Sequence, residues 1–113
     1  PAYPMEESQV RERIMAGLTR SYAPMGTLRQ MVSIAADTGR AKELSGVSTP
    51  TLVIHGRADP LVPFACGQDT AKRIPGARLF AIDGMGHDLP PEVIDLMLPS
   101  MLEHLHTSNG TLA

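Results

Sequence analysis

Apolar residues recur at four-residue steps through Val10, Ile14, Leu18 and Tyr22, which places them on one face of a helix. Glu7 or Ser8 can open that helix and Pro24 closes it. Met25, Leu28, Met31, Val32 and Ala35 mark a second helix that ends near Gly39, and Arg40 to Leu44 can add a short third turn. The pattern changes at Gly46-Val47-Ser48-Thr49-Pro50. Thr51 to His55 is then a short apolar run, rich in β-branched residues and without alternation, as in a parallel strand buried on both faces. Gly56 ends it. Pro63 suits the first position of a helix that runs to about Ile74, Pro75-Gly76 turns the chain, and Ala77 to Ile82 is a second strand. Pro90-Pro91 opens a terminal helix with an apolar stripe of Val93, Ile94, Met97, Leu98, Met101, Leu102 and Leu105. Pro99 inside it predicts a kink or two consecutive helices, because proline removes a hydrogen bond and clashes with the preceding turn. Residues 107–113 read as a frayed tail.

The order is helices followed by strand, helix, strand, helix. This is an α/β pattern in which residues 1–46 form a helical segment and 47–106 form a βαβα unit.

The two strands end in the loops that carry the chemistry. Asp59 lies just past the first strand, in Gly56-Arg57-Ala58-Asp59-Pro60-Leu61-Val62-Pro63. His87 lies just past the second, in Asp83-Gly84-Met85-Gly86-His87. Active sites of open α/β sheets gather at the carboxyl ends of strands. If the strands are neighbours, their loops emerge about 5 Å apart at the backbone. A carboxylate that accepts from one imidazole nitrogen leaves the other as an outward-facing base. Gly84 and Gly86 allow the sharp turn that brings His87 over the sheet edge. Each motif also has a plainer reading. Asp59-Pro60 can be a turn whose carboxylate bonds nearby amides, and Asp88 can cap the helix that follows. Their occurrence on successive βα loops, in this order, favours the paired site.

These motifs resemble the C-terminal part of the α/β-hydrolase fold family, especially its esterase and lipase-like members similar to aclacinomycin methylesterase. The resemblance rests on Pro50-Thr51-Leu52-Val53-Ile54-His55-Gly56, Asp59-Pro60-Leu61-Val62-Pro63, Ile74-Pro75-Gly76-Ala77 and Gly84-Met85-Gly86-His87, and covers about Ser48 to Leu105. It implies that Asp59 is the acid and His87 the base of a serine triad that cleaves a small ester or related acyl bond. It further implies that the helices before Pro50 end a cap. Leu61, Val62 and Met85 can border an apolar substrate pocket, and core packing explains them equally well.

The family's order is serine, acid, histidine, yet no Gly-x-Ser-x-Gly occurs here, and the oxyanion-hole segment is missing. The expectation is therefore a C-terminal portion whose nucleophile lies elsewhere, inactive alone. The partner would be an N-terminal hydrolase half, or a second copy pairing at the Thr51–His55 edge. The alternative is a non-catalytic module that self-associates or binds a partner through that edge.

Composition narrows the field. A net charge of −2 over 113 residues gives no electrostatic case for nucleic acid or an anionic membrane, and 4% aromatic content without Trp argues against base stacking. No apolar run approaches a membrane span. The single cysteine, Cys66, excludes an internal disulfide and fits a reducing, cytoplasmic setting; it reads as a buried, inert thiol. His104 and His106 lie two apart on a helix and make a poor metal site. His55 is expected to pack near the site and Asp83 to brace a loop. No cofactor or metal is expected.

Overall fold

A computed structural model describes residues 2–37 and 39–109. The chain divides into two compact units. Residues 5–42 form one. Residues 43–109, together with the described residues of 1–4, form the other.

The first unit holds α1 (Glu7–Arg20) and α2 (Pro24–Ala36). α1 starts at Glu7, as the sequence signals place it, but ends at Arg20, before Tyr22 and Pro24; Pro24 is the first residue of α2. Neither helix buries a residue. Val10, Ile14 and Leu18 recur on one face of α1 as the periodicity predicts, but that face is exposed.

A single turn, α3 (Arg40–Glu43), ends the first unit. In the second unit a 3₁₀ turn (Leu44–Gly46) leads into β1 (Leu52–Gly56). Then follow α4 (Phe64–Arg73), β2 (Arg78–Ile82) and α5 (Pro91–Asn109). β1 and β2 pair in parallel, with Leu52 opposite Arg78 and Gly56 opposite Ile82. The Arg78 amide donates to Thr51 O at one end and the Arg57 amide to Ile82 O at the other. In a parallel ladder the backbone groups of alternate residues face the same side. Thr51, Val53, His55 and Arg57 therefore bond towards β2, and the N–H and C=O groups of Leu52, Ile54 and Gly56 face the other edge, where no strand of the described residues pairs.

The two helices use opposite side-chain sets of the sheet. His55 meets α4: its ring lies edge-on to Phe64, 5.7 Å between centroids, and against Gly67. Ile54 and Phe80 join the cluster of Ile82, Met85 and Val93, with Met97 of α5 and Tyr3 packed on it. Ile74, at the end of α4, is also buried. Gly76, at φ +72°, makes the turn into β2, a conformation that residues with a Cβ rarely adopt.

Three expectations change. Pro63 is the residue before α4 rather than its first. Of the two alternatives at Pro99, two consecutive helices are not seen: α5 continues through it as one helix; the Asp95 carbonyl loses its donor there, but both residues face solvent, where water can replace it. Residues 107–109 continue this helix, and the remainder of the expected tail, 110–113, lies outside the described residues. Among the described residues, no helix is long and apolar enough to cross a membrane.

Candidate active site

The β1 and β2 loops meet through their backbones before any side chain is considered. An added Cβ on Gly56 would lie 2.2 Å from the Met85 carbonyl oxygen and 2.7 Å from that of Gly86, so only glycine fits where the two loops cross. The Ala58 amide donates to Met85 O at 3.0 Å, tying the acid loop to the histidine loop. Gly84 turns with φ +73°. Gly86 does not share that conformation; it is buried, with its carbonyl oxygen close to Gly56.

On this frame the sequence-predicted pair comes together. His87 Nδ1 lies 2.8 Å from Asp59 Oδ2. The other oxygen, Oδ1, accepts the amides of Leu61 and Val62 at 2.9 Å each. Asp59 thus closes the turn and meets the imidazole at once, one carboxylate oxygen serving each. Asp88 does not cap α5, which begins at Pro91.

The side chain of Asp59 is 6% exposed. Its desolvation pushes the pKa up, but the Val62 amide, the His87 ring and the Leu61 amide pull harder the other way, taking it from 3.8 to about 2. An ionised carboxylate can only accept, so Nδ1 carries the proton and Nε2 holds the free lone pair. Half of the His87 side chain is exposed. The result is an imidazole oriented by the carboxylate.

A cleft of about 270 Å³ opens beside the pair, lined by Ile54, His55, Gly56, Asp59, Val62, Met85, Gly86 and His87. Val62 and Met85 sit where a pocket wall is expected, although Met85 is mostly core, at 7% exposed. Leu61 is not in the lining. Its side chain points to solvent at 72% exposure, and its amide, not its apolar surface, serves the site. No serine lines the cleft.

His55 lies in the cleft wall, with Nδ1–H donating to the Gly56 carbonyl at 2.9 Å. Asp83 pairs with Arg57 at 2.8 Å, bridging the two loops, and the Arg57 guanidinium lies 4.7 Å over the Phe64 ring. Arg57 and Phe64 escaped the sequence reading, since an arginine in a loop and a phenylalanine in a helix carry no signature. Cys66 is exposed, not buried, in the first turn of α4. His104 is half-buried and His106 exposed. Among the described residues, no three His, Cys, Asp or Glu side chains are grouped to hold a metal ion.

Two parallel strands with helices on both faces and polar residues at their carboxyl ends are consistent with a portion of an α/β-hydrolase fold. The chain belongs to that family: the model of the TAP-like protein family of α/β-hydrolases matches residues 24–93, more than half of its length. The match begins at α2, upstream of the Ser48 at which the motif resemblance starts. Over 65 residues the chain is 42% identical to a rhodomycin D methylesterase of Streptomyces peucetius, covering 58% of this chain and 22% of the esterase. It is 39% identical over 56 residues to a pimeloyl-(acyl-carrier protein) methyl ester esterase of Aromatoleum aromaticum, covering 50% of this chain and 22% of that protein. A putative carbamate hydrolase of Pantoea ananatis is 28% identical over 85 residues, 31% of its length. The chain thus spans under a third of the curated relatives it matches.

Proposed function

We propose that this chain supplies the acid and the histidine of a serine hydrolase that cleaves carboxylic esters, and that the nucleophile and oxyanion donors come from outside residues 1–113. The observation that carries this reading is the 2.8 Å contact between His87 Nδ1 and Asp59 Oδ2 at the mouth of the cleft. The names of the esterase relatives support an ester as the bond and a methyl ester as the first substrate to try.

In this mechanism the serine hydroxyl attacks the ester carbonyl while its proton passes to His87 Nε2. The imidazolium so formed is held against the ionised Asp59. It returns the proton to the departing alkoxide, leaving an acyl-serine. Water then attacks the acyl carbon, again losing its proton to Nε2; the imidazolium passes that proton to the departing serine oxygen, which regenerates the hydroxyl and releases the acid.

The partner is proposed to join at β1. Leu52 and Ile54 present unpaired backbone groups there, and a groove of about 370 Å³ beside them is lined by Leu52, Ile54, Met101 and Leu105 among others. An N-terminal hydrolase portion that extends the sheet fits this edge; a second copy of the chain is the other candidate.

The test uses the complete serine-bearing polypeptide and a panel of methyl esters. Asp59→Asn and His87→Ala are each expected to lower kcat/KM by about 10³-fold or more, with the fold retained by circular dichroism. Near-normal turnover in both variants would remove the assignment.

A further inference from the structure

The loop that presents His87 has little conformational preference of its own. It runs Gly84-Met85-Gly86, and Gly84 sits at φ +73°, a region open chiefly to glycine. The position of His87 must therefore come from what touches the loop. One flank is held by the acid loop, through the Ala58 amide on Met85 O and the close approach of Gly56.

The other flank is held by a segment remote in sequence. The Ala2 amide donates to the Gly84 carbonyl at 2.8 Å. The point where a Gly84 Cβ would stand is 2.7 Å from Ala2 Cβ and 3.6 Å from Tyr3 Cε2. Tyr3 also packs on the cluster of Ile82, Met85 and Val93. Met85 is thus gripped from both sides, through its backbone by the acid loop and through its side chain by the cluster on which Tyr3 lies. Two residues further along the chain sits the imidazole that must meet Asp59.

We infer that Ala2 and Tyr3 form a clasp on the histidine loop, and that Tyr3 is a positioning residue for His87. This rests on the reading of His87 as the general base. The clasp touches neither substrate nor imidazole; it removes freedom from a glycine-rich loop so that Nδ1 stays in register with the Asp59 carboxylate. Misplacing a catalytic group by about 1 Å can cost on the order of 100-fold in rate, so loosening the clasp acts on kcat and leaves KM nearly alone.

The experiment compares Tyr3→Ala, Tyr3→Phe, Ala2→Pro and His87→Ala in the complete serine-bearing polypeptide. Ala2→Pro removes the amide donor without touching the core. Three quantities are read: kcat per folded molecule, KM, and the low-field proton resonance of His87 Nδ1–H. Tyr3→Ala is expected to lower kcat roughly 10- to 100-fold and to broaden or abolish the resonance. Ala2→Pro should shift both in the same direction by a smaller amount, and Tyr3→Phe should restore both. If Tyr3→Ala and Ala2→Pro lower only the thermal midpoint, with kcat per folded molecule and the resonance unchanged, Tyr3 is core filling and the clasp is overturned. Normal turnover in His87→Ala would instead overturn the proposed function, whatever the Tyr3 variants do.

Discussion

Asp59 shows how one side chain can be both structural and chemical. Oδ1 closes the turn on Leu61 and Val62, and Oδ2 is left to face His87. The turn therefore aims the oxygen at the imidazole. Its titration follows. The folded-state pKa of about 2 lies below the ordinary 3.8, so the stabilisation it brings is fully present above about pH 4. That stabilisation is lost as the pH falls from there towards 2. Carboxyl carbon NMR should place the Asp59 midpoint near 2, and His87→Ala should move it upward while leaving it below 3.8, because the two amides remain. A wild-type midpoint at or above 3.8 would mean that the amides and the ring do not bind the carboxylate in solution.

Among the elements, β1 and α4 decide where the site can stand. His55 projects from β1 onto Gly67 of α4, and a Cβ there would come within 2.6 Å of the imidazole Cδ2 and 3.0 Å of His55 Cβ. Those atoms lie near the strand backbone and cannot swing far. Gly67→Ala should therefore push α4 from the sheet and destabilise the unit by about 1–3 kcal/mol, read as a lower urea midpoint at constant slope. An unchanged midpoint would show that the helix does not sit this close. Most of the elements were legible in the sequence, because the four-residue recurrence in α1, the β-branched run of β1 and the Pro-Gly turn before β2 are local signals. That α5 is one helix and not two was not. Proline's penalty is local, but whether a helix bears it depends on whether the orphaned carbonyl can reach water.

For the whole molecule, the main feature is apolar surface left uncovered. Val93 and Met97 of α5 reach the core, whereas Ile94, Leu98, Met101, Leu102 and Leu105 of the same predicted stripe remain exposed. A two-stranded sheet is marginal without further layers, and β1 presents open backbone groups beside that apolar helix. If a further strand pairs there, hydrogen exchange should report it. The Leu52 and Ile54 amides should exchange quickly in this chain alone and slow by several powers of ten in the complete serine-bearing polypeptide, while the Val53 and His55 amides, bonded to β2, are protected in both. Equal exchange of Leu52 and Ile54 in the two would exclude pairing at this edge.

The residue types alone determined that a carboxylate and an imidazole would stand on consecutive loops at the ends of parallel strands, though those strands are only partly buried. That much is local, written in apolar runs, prolines and glycines a few positions apart. Contact between the two groups, the Nδ1–H tautomer and the lowered Asp59 pKa were decided only in three dimensions. So were the solvent exposure of Leu61 and Cys66, the Arg57–Asp83 bridge and the grip of Ala2 and Tyr3 on Gly84. Each of these depends on distances between segments that the chain brings together from far apart, and such distances leave no periodicity along the sequence.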